Sequence, residues 1–520
     1  MLNPFASANT LATSAQHLQT LLLSFHPVIL IETVEEERVL TLLQTAIQDM
    51  KISLYEWSIT QGLLRSHGNE NRWVDECAPP GSTKPATLDE KTTDPLEALK
   101  YIQAQTQKGV FWLKDFTTHL TDPVVARQFR EVVQVLVQRR AAFILTGESI
   151  KLPPEIAHDA VYFELKLPGR DELHQAVSDV VRSLMVKNRV QVQIQEQDLQ
   201  ALVQALSGMT LKQARQVIAY AALEDGKLTV SDIERILHRK AQVIREEGVL
   251  EYLPLNNQPL YLGGFTGLKR WLARAKVGFT PQARELNLRP PRGILIVGIQ
   301  GCGKSLAAKA IAQEWKLPLL KLDAGRLYDK YVGESEKNFR QAAILAESMS
   351  PTVLWIDEIE KSFSNSDSDS DGGLSRRLFG FFLTWLQEKS QDVFVVATAN
   401  DISKTPPELF RKGRFDEIFF ADLPDAQERG MILKIHLGQR KQPLERFDLA
   451  TLVKETEGYS GAEIEQAVIV ALYNALYLGK SLDTALLIEE IRATIPLSVS
   501  RREDLEQLRA IAQERFVSVR

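Results

Sequence analysis

Residues 298–305 read GIQGCGKS and satisfy the pattern G-x-x-x-x-G-K-[ST] at every fixed position. In this pattern the glycines let backbone N–H groups surround phosphates, the lysine binds the outer phosphates and the hydroxyl binds Mg²⁺. An apolar run, 293–297, precedes the loop, and a run of helical composition, 306–312, follows it. A helix that begins at such a loop also attracts anions with its partial positive charge. The segment therefore predicts a site for a nucleoside triphosphate, and a simple glycine turn is the alternative.

The candidate nucleotide contacts lie in this loop and at the start of its helix. They are Gly298, Gly301, Cys302, Gly303, Lys304, Ser305 and Leu306. Asp357 and Glu358 end the apolar run 353–356, which lies far enough downstream of the loop to leave room for a strand and a helix. Asp357 would bind Mg²⁺ together with Ser305, and Glu358 would polarise the attacking water. A solvated strand end is the alternative explanation for this acidic pair.

Two further groups could act on the same phosphates. The apolar run 393–399 ends in Asn400, whose amide could orient the attacking water. Arg411 and Arg414 lie three positions apart in a loop with a glycine, so they could reach a phosphate that a neighbouring subunit binds. An arginine supplied in this way raises phosphoryl-transfer rates by roughly 10³–10⁵. Taken alone, this segment would be interpreted as a basic surface loop.

Length and composition limit the class of protein. A chain of 520 residues exceeds a single hydrophobic core, and 44% hydrophobic with 25% charged residues is ordinary globular composition. The net charge of −5 argues against a generally basic nucleic-acid binder but leaves a local basic channel open. Two cysteines, Cys77 and Cys302, indicate a reducing compartment without a disulfide framework. No signal sequence or membrane-spanning run is evident, so we expect a cytosol-like compartment and no membrane insertion.

Both halves of the chain alternate strand and helix patterns, which predicts parallel sheets, and the second half repeats the first. The matched runs are 28–31 with 294–297, 111–115 with 354–358, and 142–146 with 393–397. The first copy has ETVEEE, residues 32–37, where the second has its phosphate loop. These acidic side chains would repel a triphosphate. We therefore expect the first copy to be a scaffold or an oligomerisation layer rather than a second active site.

With these motifs in place, residues from about 259 to 500 resemble an AAA+ ATPase module of the type that has two arginine fingers and no sensor-2 arginine. The resemblance assigns residues 298–305 to Walker A, 354–358 to Walker B, Asn400 to sensor 1, Arg411 and Arg414 to the arginine fingers, and 458–463 to the start of the helical lid. Ile299 and Gln300 replace two usual prolines and Cys302 a usual threonine. The side chains at these three positions are not phosphate ligands.

The same resemblance assigns a pore loop. Residues 328–336, YDKYVGESE, are similar to the segment that contains pore loop 1 in this family. Lys330, Tyr331 and Val332 would line the central channel of a hexamer and grip an unfolded peptide of any sequence. A buried Tyr-Val pair is the alternative.

The whole chain resembles the AAA proteins of cyanobacteria and plastids that carry a hypothetical-chloroplast-reading-frame name. The expected fold is α/β, with a P-loop AAA+ module of parallel sheet and helical lid preceded by a degenerate AAA-like α/β domain that has its own helical part. The expected domains are a degenerate α/β domain (1–170), a lid-like helical subdomain (171–247), a linker (248–262), the large ATPase domain (263–424) and the small helical lid with C-terminal helices (425–520).

The resemblance implies an ATPase that converts ATP and water to ADP and phosphate with Mg²⁺, assembles as a homo-hexamer, and remodels or threads protein substrates in a chaperone-like manner. It implies the cyanobacterial cytosol or the plastid stroma. Two alternatives stay open: a nucleic-acid-associated motor or loader, which Arg376 and Arg377 leave possible, and an ATP-dependent assembly switch with low turnover. The pore triad and the charge balance favour a protein substrate, and Glu358 with both arginine fingers argues against a pure switch.

Overall fold

The computed structural model describes most of the chain as two compact units, Met1–Asp232 and Ile233–Arg520. The described residues are 11–50, 52–66, 90–105, 108–186, 191–192, 196–229, 231–254, 260, 262–327, 334–362, 374–389, 392–402, 407–411 and 413–520. Within these ranges no helix is both long enough and apolar enough to cross a membrane.

A largely parallel sheet organises the first unit. Its described strands are β1 (Val28–Glu32), β2 (Ser53–Ser58), β3 (Gly62–Ser66), β4 (Gly109–Lys114), β5 (Ala142–Gly147) and β6 (Ala160–Tyr162). They lie in the order β3-β2-β4-β5-β1-β6, and β2–β3 is the antiparallel pair. The accompanying helices are α1 (Leu11–Leu23), α2 (Glu36–Ile47), α3 (Pro95–Ala104), α4 (Pro123–Arg139) and α5 (Pro154–Ala157). Asp94 and Asp122 fix the starts of α3 and α4, because each accepts a backbone N–H and precedes a proline at the first helical position.

A helical part follows this sheet. Its elements are α6 (Arg170–Val186), β7 (Gln191–Val192), α7 (Glu196–Leu206), α8 (Leu211–Asp225), β8 (Lys227–Leu228) and α9 (Asp232–Glu247). Helix α8 begins at a capping box, in which Thr210 and Gln213 each accept the other's backbone N–H. The short strands β7 and β8 pair in parallel.

The sheet of the second unit has the same plan. Its described strands are β9 (Leu250–Leu253), β10 (Gly293–Gly298), β11 (Leu319–Leu322), β12 (Thr352–Ile356), β13 (Val393–Ala399), β14 (Glu417–Ala421) and β15 (Val517–Ser518). They lie in the order β15-β14-β10-β13-β12-β11-β9, and β9 is antiparallel to β11. The helices around it are α10 (Thr266–Ala275), α11 (Pro281–Glu285), α12 (Lys304–Trp315), α13 (Ala324–Leu327), α14 (Glu334–Ser348), α15 (Ile359–Ser362) and α16 (Leu374–Glu388).

The core of this unit covers both faces of the sheet. Leu295 and Val297 of β10 pack in one hydrophobic cluster, and Ile294 and Ile296 pack in another. All four side chains are fully buried, as expected for a central parallel strand whose side chains alternate between two helix-covered faces. Such a strand is held rigidly, so the loop that leaves its carboxyl end has a fixed starting point.

A helical lid follows the last central strand. Its helices are α17 (Ala426–Gln439), α18 (Leu449–Glu455), α19 (Gly461–Tyr477) and α20 (Thr484–Ala493), after which come α21 (Leu497–Ser500) and α22 (Arg502–Arg515). Capping boxes start α17, with Asp425 and Glu428, and α19, with Ser460 and Glu463. The parallel sheet followed by this lid confirms the predicted fold class.

The repeat is present in the structure, but its register differs by one residue from the sequence match in two strands. Asp115 and Glu358, the last residues of one matched run, both have a left-handed backbone, with φ of 52° and 50°. From this anchor, the strand pairing aligns Thr146 with Thr398 rather than with Ala397. It also aligns residues 28–31 with 293–296 rather than with 294–297. Uniformly apolar runs carry no register of their own, whereas the hydrogen-bonded ladder fixes it.

The division between the compact units falls within the helical part. The compact units divide after Asp232, so helix α9 belongs with the second unit, where Ile244 packs in the sheet core. The segment 248–262 was expected to be a linker, yet it contains strand β9, which pairs with Leu319–Leu322 of β11. The buried side chains of Leu250 and Tyr252 explain this difference, because they complete the same core cluster.

Candidate active site

The phosphate loop connects β10 to α12, as the sequence predicts. Gly303 lies directly before the helix with φ of +82°, a conformation that glycine adopts without steric cost. Its neighbour Lys304 is 6% exposed, and its ammonium donates to the carbonyls of Gly298 (2.8 Å) and Ile299 (2.7 Å). Burial lowers the pKa of Lys304 to about 8. The loop therefore places one poorly solvated cation at a helix N-terminus, an arrangement that suits a phosphate.

Ser305 and Asp357 lie together across the loop and the end of β12. The Ser305 hydroxyl donates to Asp357 Oδ1 at 3.1 Å, and the Thr398 hydroxyl donates to the same oxygen at 2.7 Å. Lys321 Nζ lies 3.8 Å from Asp357 Oδ2. A hydroxyl beside a carboxylate is the oxygen donor set that Mg²⁺ prefers. These two residues therefore supply oxygen donors that fit a magnesium ion.

Glu358 is held by three polar contacts. Its backbone N–H donates to Thr398 Oγ1 at 3.0 Å, which fixes the left-handed turn that follows β12. Its carboxylate accepts from Asn400 Nδ2 at 2.7 Å and from Lys361 Nζ at 2.5 Å. These contacts fix the orientation of the Glu358 carboxylate at the sheet edge from which the phosphate loop also leaves.

Three supporting residues were not predicted from the sequence. Thr398 bridges Asp357 and Glu358, and Lys321 lies beside Asp357. Glu360 is 3% exposed and its Oε1 accepts the backbone N–H of Asn400 at 2.9 Å, so it fixes the turn that carries this amide. Burial raises the pKa of Glu360. Only strand adjacency reveals these contacts, because the partners are about forty residues apart in the chain.

A cavity of about 530 Å³ contains most of the predicted nucleotide, metal and water-orienting residues. Every predicted nucleotide contact except Gly298 lines it, as do Asp357, Glu358 and Asn400. The lid lines the cavity through Ile432, Ile435, His436, Gln439, Gly461, Ala462 and Glu465. Cys302 also lines the cavity, and burial raises the pKa of its thiol to about 12. The cavity lining therefore combines polar residues of the phosphate loop and strand ends with apolar side chains, as ligand-binding pockets do.

The two arginines lie away from this cavity. Among the described lining residues neither Arg411 nor Arg414 occurs. Arg411 is exposed, whereas a guanidinium N–H of Arg414 donates to the backbone carbonyl of Glu408. Burial, followed by the charge of Arg411, lowers the pKa of Arg414. The predicted pore residues 330–332 lie outside the described residues.

Comparison with known families agrees with this geometry. The model of the ATPase family associated with various cellular activities (AAA) matches residues 294–423, and the AAA+ lid domain matches 446–477. The N-terminal and second domains of SpoVK-like AAA ATPases match 14–165 and 171–247. The chain belongs to the AAA ATPase family. These matches confirm the resemblance inferred from the motifs. Membership of this family implies nucleotide binding by the AAA domain.

Relatives extend the similarity over nearly the full length. The AAA domain-containing protein ycf46 of Trieres chinensis is 38% identical over 92% of both chains. The ycf46 protein of Guillardia theta is 35% identical over 94% of this chain and 92% of its own. The proteasome-activating nucleotidase of Aeropyrum pernix is 33% identical over 41% of this chain and 54% of its own. The AAA module is thus shared widely, and the two-half arrangement is shared with the ycf46 proteins.

Proposed function

We propose that this chain is a Mg²⁺-dependent ATPase. The observation that carries the proposal is one continuous set of hydrogen bonds from Ser305 through Asp357 and Thr398 to Glu358 and Asn400. It joins the residues that would hold the metal to the residues that would hold the attacking water. A phosphate-binding loop alone would account only for nucleotide binding, whereas this set of hydrogen bonds would also support ATP hydrolysis.

In the proposed reaction, water attacks the γ-phosphorus, the bond to the β–γ bridging oxygen breaks, and ADP and phosphate leave. Glu358 accepts a hydrogen bond from the water and its proton as the new P–O bond forms, and Asn400 keeps the carboxylate in place. Lys304 and the loop N–H groups stabilise the outer phosphates. Ser305 and Asp357 would hold Mg²⁺, which neutralises phosphate charge when bound.

We propose that the active form is a ring, a homo-hexamer, in which Arg411 acts on the nucleotide of the neighbouring subunit. Its exposure, and its absence from the described lining of the cavity in its own chain, support a role in trans. Arg414, which is tied back to Glu408, would position the loop or act as the second finger. An arginine finger contributes roughly 10³–10⁵ in rate.

We further propose that hydrolysis drives the remodelling or threading of protein substrates. Similarity to a proteasome-activating nucleotidase and the negative net charge support this choice over nucleic acid. The predicted grip residues are Lys330, Tyr331 and Val332. A nucleic-acid motor and a low-turnover assembly switch are the competing outcomes of the test below.

The test is the ATPase rate per chain over a concentration series, alone and with unfolded protein, single-stranded DNA or RNA. We expect a rate that rises with concentration to a plateau and is stimulated by unfolded protein. Arg411→Ala should remain slow at every concentration, and the exposed-arginine control Arg127→Ala should behave as wild type. Stimulation by nucleic acid alone would overturn the protein-substrate proposal. A negligible rate in every condition would overturn the ATPase proposal in favour of a switch.

A further inference from the structure

Residues 517–520 form part of the wall of the nucleotide cavity, although they follow the lid by more than twenty residues. Strand β15 pairs in parallel with β14, where Val517 lies beside Phe419. The ladder continues one residue further, because the N–H of Val519 donates to the carbonyl of Phe420 at 3.2 Å. Val519 is 4% exposed and belongs to the core cluster on that face of the sheet. Val519 and Arg520 both line the cavity.

The backbone of this segment also caps helix α10. The carbonyl of Val519 accepts the N–H groups of Gly267 (2.9 Å) and Leu268 (3.1 Å). The residue at the N-cap position, Phe265, provides no side-chain acceptor, so the segment satisfies donors that would otherwise lack an intrahelical partner. A Cβ on Gly267 would lie 2.3 Å from the carbonyl oxygen of Arg520. The close approach therefore requires glycine at position 267.

The side chain of Arg520 connects this segment to the first turn of the lid. Its Nε donates to Glu428 Oε2 at 3.1 Å, and a terminal nitrogen donates to the carbonyl of Leu423. Glu428 is the residue of the capping box that accepts the N–H of Asp425 at 3.0 Å, so it holds the first turn of α17. Glu428 also lines the cavity.

Helix α17 lines the cavity from the lid. Ile432, Ile435 and His436 line the cavity from this helix, and the two isoleucines supply apolar surface of the kind that lines ligand pockets. A second anchor lies nearby, where Arg509 of α22 pairs with Asp422 at 2.8 Å. Arg509 and Arg520 thus both contact residues 422–428, which lead into and form the first turn of α17.

We propose that Arg520 is a positioning residue of the nucleotide site, which holds Glu428 and the first turn of α17 against the sheet edge and thereby sets affinity for the base and ribose. The inference rests on the proposed ATPase function. It places the effect on binding, because Arg520 lies among the lid contacts and not beside Glu358 or Asn400.

The test compares Arg520→Ala with the wild-type chain by equilibrium binding of ATP and by steady-state ATPase kinetics. We expect Kd and KM for ATP to rise about tenfold, the loss that follows removal of one charge-assisted hydrogen bond, with kcat within about twofold. Arg520→Lys should recover part of the affinity, because an ammonium can replace one of the two contacts but not the planar fork. Arg502→Ala, which removes an exposed guanidinium from α22, is the matched control and should leave both constants unchanged.

A second variant keeps the proposal open to refutation if Arg520→Ala is poorly folded. Gly267→Ala should displace residues 517–520 and raise KM as Arg520→Ala does, whereas Gly380→Ala, where a Cβ meets nothing within 4 Å, should not. Unchanged KM in both Arg520→Ala and Gly267→Ala, or a fall in kcat at constant KM, would overturn the positioning role while leaving the ATPase intact. A wild-type chain that binds no ATP would instead overturn the proposed function, and this inference with it.

Discussion

The two halves each contain a sheet of the same plan, but they carry opposite charges at three corresponding positions. The strand order β2-β4-β5-β1-β6 in the first unit corresponds to β11-β12-β13-β10-β14 in the second. The strand pairing and the buried positions of α2 and α12 align the two halves residue by residue. In this alignment, three charged residues of the second half correspond to residues of opposite charge in the first. The pairs are Lys304 with Glu35, Asp357 with Lys114, and Lys321 with Glu56. The fold therefore tolerates either set of charges, and only one set suits a triphosphate.

The inverted charges form an internal network in the first half. Lys114 pairs with Glu36 at 3.0 Å and with Glu56 at 3.3 Å, and its ammonium lies 4.2 Å from the centre of the Trp112 ring. Lys321 makes the corresponding contact in the second half, 4.6 Å from the ring of Trp355. The aromatic platform is thus kept, while the cation has moved to the neighbouring strand. A cation beside two carboxylates needs no ligand to balance it.

The connection to the helix differs as well. Four positions separate Ile31 from Glu35, whereas eight separate Ile296 from Lys304. The shorter connection leaves no phosphate loop, and the Glu35 carboxylate accepts the N–H of Leu211 at 2.7 Å, at the start of lid-like helix α8. A protein carboxylate thus lies at a helix N-terminus, the type of position where a phosphate commonly binds. In the first half, the Glu35 carboxylate therefore connects the helical part to the sheet without a nucleotide.

The largest expected effect separates Glu358 from its counterpart Asp115. Glu358→Gln should lower kcat by about 10²–10⁴, the usual loss when a general base is removed, and leave ATP bound. Asp115→Asn changes the residue with the same left-handed backbone in the first half and should leave kcat within about twofold. Single-turnover ATP hydrolysis measures both. An equal loss in the two variants would abolish the distinction between the halves.

A smaller effect is expected for Thr398 and Thr146, the buried threonines at the penultimate positions of β13 and β5. Thr398→Val removes the hydroxyl that orients Asp357 and Glu358, so kcat should fall by about 10–100-fold, as for a lost charge-assisted hydrogen bond. Thr146→Val removes the acceptor of the Trp112 indole N–H and should cost only stability, about 1 kcal/mol. Steady-state kinetics together with thermal unfolding checks both. Loss of ATPase activity in a folded Thr146→Val chain would contradict the comparison.

Glu35 should matter for stability and not for nucleotide. Glu35→Ala leaves the N–H of Leu211 without its acceptor and Arg38 without a carboxylate 3.5 Å away, which should destabilise the first unit by about 1–3 kcal/mol. ATP affinity should stay unchanged. Urea unfolding with hydrogen exchange at Leu211 measures the effect, and Glu37→Ala, at an 89% exposed side chain, is the control. Faster exchange in the control alone would refute the role of Glu35.

The smallest expected effect is a pH slope. Burial raises the pKa of Glu35 above its usual value of 4.5, and the negative charge of Glu172 also raises it. The positive charge of Arg38 and the hydrogen bond from the Leu211 N–H lower this pKa by less. The folded state therefore holds this proton longer than the unfolded state, and the associated stability is lost as pH rises from 4.5 through the folded-state pKa. The wild type should lose more stability than Glu35→Gln over this window, by at most about 1.4 kcal/mol per pH unit. Parallel urea midpoints from pH 4 to 7 would show that Glu35 makes no such contribution.

The sequence was sufficient for the motifs whose residues are adjacent in the chain. The phosphate loop, Asp357, Glu358 and Asn400 meet in one cavity because parallel strands end at one edge of a sheet. This meeting could be predicted from the apolar runs and the polar residues directly after each run. The fold class can be predicted from the same alternation. Neither inference requires knowledge of strand register.

The residues that the sequence did not reveal depend on that register. Thr398 bridges Asp357 and Glu358 only because β12 and β13 are paired in one register, and a shift by one residue would turn its side chain to the other face. The charge inversion at Glu35, Lys114 and Glu56 is likewise visible only after the strands are aligned. Arg520 is far in sequence from the phosphate loop and the strand ends that line the same cavity, so no local sequence pattern could indicate its role.

We propose that the chain binds one nucleotide, at the site in its second half. Equilibrium binding of ATP to the Glu358→Gln chain tests it most directly, because this variant should bind ATP without consuming it. We predict one ATP per chain, loss of that binding when Lys304→Ala is added, and no change when Glu35→Ala is added instead. Two ATP per chain, or full binding without the Lys304 ammonium, would contradict a single site in the second half that depends on Lys304.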